Sequence, residues 1–472
     1  MIRVSLIMLP IEHDEAKTHF AFVSRGWIQV LSDYYVPNNH ILYSALAKTS
    51  ISAFGDNLAA LRLPALLAGC LALPVVYAVA RRLYSARAAL IALGLCAVSV
   101  PLIEYSDRAR GYSIVTLMTL TAFLFADSLA HRRAAVLWGG WIAACAIGLW
   151  AVPTMAWSCA LTLLWLFVRT RKADRRALIR SSLVALVVLG VAASVLYAPV
   201  ILRYRGIRPL VSNPYVAPVS LAHLTSGIGL AGYELLAWTG SGNAFGGPIL
   251  NVVCVLLAMV MGATERRTTS RILCVTILGG LTVLCFVQRV VPPTRTLLFV
   301  VPFLLLLTAE GLDAVVEAAT VGRGRALALL GALGVAWLAV SSLRVTEGIK
   351  RGCASVVFWN AQEYAQFLKP RLSEAAVVTS TPASAALRYY LTKERVPASA
   401  FIWHDTTKSI NTELDGAERV FAVICPSRYG LSDLGMGSES EFGTPVIMLK
   451  DEQCELLAFP AYHPNRVPPS DR

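Results

Sequence analysis

The sequence predicts a polytopic α-helical membrane protein of about 11 transmembrane helices, with a small C-terminal α/β domain on the outer side. Three observations predict it. Of 472 residues, 56% are hydrophobic and only 15% charged, against about 25% charged in soluble domains. Apolar runs of near-spanning length follow one another from Leu63 to Val340. Basic residues gather in every second loop between those runs. The division expected is a transmembrane domain over residues 1–345, an outer α/β domain over 352–459 and a disordered, Pro-rich tail over 460–472.

The first apolar run, Met1 to Ile11, is too short to span. Eleven helical residues reach roughly 16 Å, against a hydrocarbon core of about 30 Å. No small-residue cleavage site follows it, so it does not read as a cleavable signal peptide; either the first helix is incomplete or the true start lies upstream, and the second is the expectation favoured. Next comes Glu12-His13-Asp14-Glu15-Ala16, a carboxylate cluster where a first span should surface. A polar, aromatic segment follows, with Trp27, Tyr34, Tyr35 and Pro37-Asn38-Asn39-His40. Ile41 to Phe54 reads as an interfacial helix with Leu42, Tyr43, Ala45 and Leu46 on its apolar side.

Full spans are expected at Leu63–Ala80, Ala88–Ile103, Ser113–Ala130, Ala135–Val152, Met155–Val168, Leu183–Leu202, Pro248–Gly262, Ile272–Val287, Leu297–Thr308 and Ala326–Val340. Their loops test the topology. With Asp14 outside, the inner loops hold Arg81, Arg82, Arg87; Arg132, Arg133; Arg169, Arg171, Lys172, Arg175, Arg176, Arg180; Arg266, Arg267, Arg271; and Arg323, Arg325. The short outer loops hold only Arg108 with Arg110, and Arg289 with Arg295. That asymmetry is the positive-inside pattern. It places the acidic pair, the long segment from Arg203 to Gly247 and the C-terminal domain outside. It also accounts for the net charge of +13 without nucleic acid, since no basic stripe is interleaved with aromatics.

From Gly352 the composition changes. Ala375–Ser380, Val420–Cys425 and Pro445–Leu449 read as strands and Ala383–Leu391 as a helix. Of the ten cysteines, Cys353, Cys425 and Cys454 fall in this part. Three allow one disulfide at most, and no C-x-x-C spacing points to zinc. No internal repeat of the transporter type is evident.

The unusual polar residues gather on the outer side: Asp14 and Glu15, then Glu104, Asp107, Arg108 and Arg110, then Arg203, Tyr204 and Arg205, then Arg289 and Arg295. Carboxylates and arginines at that depth suit a substrate that is part lipid, part anion and part polyol. A carboxylate can serve as general base on a hydroxyl, and Arg can neutralise a phosphate leaving group with paired donors. The bland reading of Arg108 and Arg110 is interfacial snorkelling.

His13-Asp14-Glu15-Ala16, Tyr35-x-Pro37-Asn38-Asn39-His40-Ile41-Leu42-Tyr43, Arg62-Leu63-Pro64 and Glu104-Tyr105-Ser106-x-x-Ala109-Arg110-Gly111-Tyr112-Ser113 together resemble the GT-C fold membrane glycosyltransferases. The pattern is nearest the dolichyl-phosphate-mannose protein mannosyltransferase-like group, which includes the bacterial lipopolysaccharide core and lipid A aminoarabinose transferases. Arg295 to Leu304 resembles a late-span motif there, with Thr296 where Tyr is common. The resemblance covers residues 12 to 345. It implies a polyprenyl-phosphate-linked sugar donor, an acceptor that is lipid, glycan or protein, and inverting transfer at the outer face of the inner membrane. It maps Asp14 to the catalytic base, with Glu15 as neighbour or alternate. It sets Arg110 and Arg295 against the lipid phosphate and Asn39, His40, Asp107 and Tyr112 along the substrate cleft. The C-terminal domain would help recognise the acceptor.

Metal use varies across that superfamily. His13, Asp14, Glu15 and His40 have the donor atoms for a divalent ion, but their spacing matches no standard site. Two other functions stay open. A lipid or sugar transporter would bury charges at mid-membrane, whereas here the ionisable residues fall in loops. A polymerase or ligase of lipid-linked glycans would use paired arginines of a large outer loop, such as Arg203, Arg205 and Arg208.

Overall fold

Hydrocarbon offers a backbone amide no partner but the backbone itself, so runs of this composition fold as helices. The computed structural model bears this out. It describes residues 2–132, 134–211, 218–240, 247–261, 263–320, 358–372, 375–379, 383–397, 400–403, 419–425, 431, 444–451 and 454–459. The span expected at Ala326–Val340 and the tail over 460–472 lie outside the described residues. The chain forms two compact units: Met1–Ile7 with Ala21–Ile349, and Met8–Phe20 with Lys350–Arg472.

The first unit is helical. Five helices among the described residues are long and apolar enough to cross a membrane: Leu58–Leu83, Tyr112–His131, Lys172–Leu196, Thr264–Gln288 and Thr294–Ala318. Shorter apolar helices are Ala86–Ala97, Ala135–Ala151, Met155–Arg169 and Asn251–Val260. Local chemistry sets several ends. The Asn57 side chain accepts the Ala60 N–H at 2.9 Å, and Ser85 accepts that of Ala88 at 3.0 Å.

Some expected elements differ. The span expected at Ala88–Ile103 breaks after Ala97, and a short helix restarts at Val100 with Pro101 in its first turn. The break frees carbonyls in the interior, and the buried Arg3 guanidinium donates to them, to Cys96 O at 3.1 Å and Ala97 O at 3.2 Å. The segment expected as a long outer loop contains a 20-residue helix, Leu221–Gly240. Helix Ile41–Phe54 forms as expected, but its buried face is Ile41, Tyr43, Ser44, Ala47 and Ser50, with Leu46 exposed.

The ionisable residues do not all stay in loops. Asp127 sits inside helix Tyr112–His131, and Glu310 and Asp313 sit inside helix Val301–Thr320. Basic residues of loops expected to be inner answer them. Arg82 lies 3.9 Å from Asp127, Arg87 pairs with Asp313, and Arg266 reaches Glu310 at 3.4 Å and Asp313 at 3.1 Å. Helix Val301–Thr320 runs past the end expected at Thr308 and so carries Glu310 and Asp313, whereas Asp127 lies inside the expected span Ser113–Ala130. By helical rise, Arg295 and Asp313 lie roughly 30 Å apart along one segment.

The second unit is α/β. Strands β1 (Ala375–Thr379), β2 (Phe401–Trp403), β3 (Arg419–Ile424), β4 (Val446–Lys450) and β5 (Glu455–Phe459) form one sheet in the order β2-β1-β3-β5-β4. β2, β1 and β3 are parallel, and β5 pairs antiparallel with β3 and β4. The β3–β5 register pairs Ile424 with Glu455, so Cys425 and Cys454 come next, facing each other, and form a disulfide. Helices Ala361–Leu368 and Ala383–Lys393 bury Tyr364, Leu368, Leu387 and Tyr389.

Candidate active site

In the first unit the site grows from the tight segment before helix Ile41–Phe54. Asn39 is fully buried, and its amide donates to Val30 O at 3.0 Å and Asp33 O at 2.7 Å. Its Oδ1 accepts from Ser44 at 2.8 Å. Asn39 thus shapes the turn that presents its neighbours. Arg203 pairs with Asp33 at 2.8 Å, which gives it a structural use in holding the same segment.

His40 follows, 2% exposed. Its Nδ1 accepts the Gly111 N–H at 2.8 Å, so the neutral ring carries its proton on Nε2. Burial holds the imidazole well below the usual histidine range, and the positive charges of Arg110 and Arg295 add to this. Both arginines thus act on one neutral ring. Arg110 is buried, bonded to the Asn38 side chain and to Asn38 O at 3.2 Å, and lies over the Tyr112 ring at 5.8 Å. It is built into the protein, which the snorkelling reading does not describe. Arg108 pairs instead with Glu104 and lies over the Tyr105 ring at 5.1 Å. Tyr112 meets His40 edge-on at 5.0 Å and Tyr105 at 5.3 Å.

Two glycines permit these approaches. A Cβ on Gly111 would lie 3.1 Å from Val152 Cγ2 and 3.2 Å from His40 Nδ1. One on Gly69 would lie 2.0 Å from Ser106 Oγ and 2.7 Å from Ser106 Cβ. Ser106 also accepts from Arg3 Nε at 3.2 Å, and the buried Asp107 comes next. We expect Gly69→Ala to push this segment away and cost about 1–3 kcal/mol of stability. A fall in thermal midpoint in detergent, with less activity, checks this.

An unfolded histidine titrates near 6.5, and folded His40 well below it. Between those values the unfolded chain binds more protons, so the stability is full above about pH 6.5 and falls as pH drops below it. His40→Gln, which can still accept from Gly111, should flatten the thermal midpoint between about pH 7 and about pH 5.

Sequence reasoning missed Tyr34, Glu234 and Trp238. Burial pushes the Tyr34 phenol up, Tyr112 adds to this and Arg110 opposes it. Trp238 meets Tyr105 edge-on at 5.6 Å, and Glu234 accepts from Thr294 at 2.6 Å, beside the exposed Arg295. Both lie on the helix that reads as loop; an aromatic and a carboxylate four residues apart there were the available signal.

Asp14 and Glu15 belong to the second unit. They open the short helix His13–Thr18, closed by a reciprocal box between Glu12 and Glu15. The Glu15 carboxylate is buried and accepts the Glu12 N–H at 2.9 Å. Asp14 is partly exposed, and its carbonyl accepts from Thr18 Oγ1 at 2.8 Å. Among the described residues no three His, Cys, Asp or Glu side chains gather as a metal site.

Comparison with known proteins supplies the class of this helical fold. The chain is similar to ArnT from Cupriavidus metallidurans in the apo state, with TM-score 0.60, 14% identity, and 97% of this chain and 95% of that one covered. It is similarly close to the same enzyme bound to undecaprenyl phosphate, with TM-score 0.59, 14% identity and the same 97% and 95% coverage. The Archaeoglobus fulgidus oligosaccharyltransferase tethered to an acceptor peptide matches with TM-score 0.52, 12% identity, and 96% of this chain and 70% of that one covered. At such identities the likeness establishes the fold: this is a multi-pass membrane protein of the GT-C glycosyltransferase fold. Within it, residues 38–202 match the family described as dolichyl-phosphate-mannose-protein mannosyltransferase, so the resemblance read from the motifs is borne out. No curated protein matches the chain in sequence.

Proposed function

We propose that the protein transfers a sugar from a polyprenyl-phosphate donor to an acceptor on the outer side of the cell's inner membrane, with inversion at the anomeric carbon. Asp14 takes the proton of an acceptor hydroxyl as that oxygen attacks the anomeric carbon. The bond from that carbon to the phosphate oxygen breaks, and its electron pair leaves with the lipid phosphate. Arg110 and Arg295 neutralise the leaving phosphate. Tyr112 and Asp107 line the sugar's side of the cleft, and Asn39 and His40 shape it. Glu15, committed to its own helix cap, supports Asp14.

The observation that carries this reading is Arg110, held by Asn38 beside a neutral His40 on which Arg295 also acts. Two guanidinium groups that act on the same neutral imidazole support a shared part for them at one phosphate. The fold is shared with a protein seen with undecaprenyl phosphate. The outer-side orientation has two supports. The inner-loop residues Arg87 and Arg266 meet Asp313, roughly 30 Å of helix from Arg295. The Cys425–Cys454 disulfide suits an oxidising compartment.

Mass spectra of envelope lipids, glycans and glycoproteins from cells with and without the protein test the reading. We expect one species to differ by the mass of a single sugar. Identical spectra under conditions where the protein is made would contradict it.

A further inference from the structure

The short helix bearing Asp14 cannot hold itself. Six residues are far below the roughly 12–15 that make even a good isolated helix marginal in water. Something else must fix it, and the second unit shows what does. Ile11, fully buried, donates its N–H to the Tyr390 hydroxyl at 3.3 Å. On the other side of Asp14, the His19 ring meets Tyr389 edge-on at 5.2 Å. Phe20 packs against the same ring at 6.3 Å, and Arg388 lies over Phe20 at 5.0 Å. Ala16, Ala386 and Leu387 are fully buried and Tyr389 nearly so. The acidic segment is therefore clasped before and after Asp14 by neighbouring residues of one helix, Ala383–Lys393.

We propose that Tyr389 and Tyr390 are positioning residues for Asp14, so that the C-terminal unit orients the proposed catalytic base. The proposal rests on the reading of Asp14 given above. It assigns the C-terminal unit a part in the chemical step, beyond a role in acceptor recognition. The two tyrosines act differently. Tyr390 works through its hydroxyl, which satisfies a buried amide, and Tyr389 through its ring. Misplacing a reacting group by about 1 Å can cost on the order of 10²-fold in rate.

The test uses the full-length protein carrying Tyr390→Phe, Tyr389→Leu, Tyr389→Phe or Asp14→Asn, at matched expression. Three quantities are read: product in the envelope, undecaprenyl phosphate binding by native mass spectrometry, and hydrogen exchange of residues 8–20. Tyr390→Phe and Tyr389→Leu should lower product about 10- to 100-fold and speed exchange over 8–20, with undecaprenyl phosphate binding unchanged. Tyr389→Phe, which keeps the ring, should restore product. Wild-type product in Tyr390→Phe and Tyr389→Leu beside an inactive Asp14→Asn would overturn the positioning role and leave the base assignment standing. Wild-type product in Asp14→Asn would overturn both. Equal loss of product and binding in all the tyrosine variants, Tyr389→Phe included, would mark general destabilisation and overturn the proposal.

Discussion

Asp14→Asn should reduce product by about 10²- to 10⁴-fold, the range that general bases contribute, while the protein inserts, folds and binds lipid phosphate as before. The substitution keeps the shape and removes the proton acceptor. Asp14 is partly exposed, and the helix start is closed by Glu12 and Glu15, so the substitution should cost little stability. Glu15 sharpens the comparison. Its buried carboxylate closes the helix start, so Glu15→Ala should act through stability, at about 0.5–2 kcal/mol for a lost cap. Two adjacent carboxylates would thus give opposite signatures, one in turnover and one in thermal midpoint. Quantifying product per folded protein separates them.

Arg295→Ala should weaken undecaprenyl phosphate binding by about 10- to 150-fold. That corresponds to losing one hydrogen bond to a charged group, about 1.5–3 kcal/mol. Arg295 is exposed at the start of the 3-10 turn Thr294–Val300, so its removal should leave the fold in place. Arg110 is different. It is buried, holds Asn38 and lies over Tyr112, so Arg110→Ala should lose both affinity and stability. Arg110→Lys keeps the charge but not the planar fork that can serve Asn38 and a phosphate together, and should fall between the two. Native mass spectrometry with added undecaprenyl phosphate reads the affinities. Wild-type binding by Arg295→Ala would remove that residue from the phosphate site.

The spans were legible because hydrocarbon leaves the backbone one choice and marks it with long apolar runs. The polar motif around Asn39, His40 and Arg110 was legible because such residues are costly near a membrane unless they have work. Helix Leu221–Gly240 was not. Gly227, Gly229, Gly232, His223 and Glu234 dilute its hydropathy, and packing against neighbours, including Gly227 near Val291, decides its state. The ion pairs of Asp127 and Asp313 within helices were not legible because their arginines lie far off in sequence, Arg87 being 226 residues from Asp313. In the sheet, β1, β3 and β4 showed their apolar runs, whereas β5, Glu-Leu-Leu-Ala-Phe, lacks alternation and is fixed by pairing on both sides. The clasp on the acidic segment joins residues 379 positions apart, a distance over which local pattern says nothing.

One chain would thus bind a polyprenyl phosphate through its arginines and turn over its sugar through Asp14. This is tested most directly by measuring, on the same purified preparations of wild type and Asp14→Asn, both undecaprenyl phosphate binding and its release from native lipid-linked sugar in envelope extract. Equal binding is expected, with release from the wild type and none above background from the variant. Release at the wild-type rate from Asp14→Asn would contradict it.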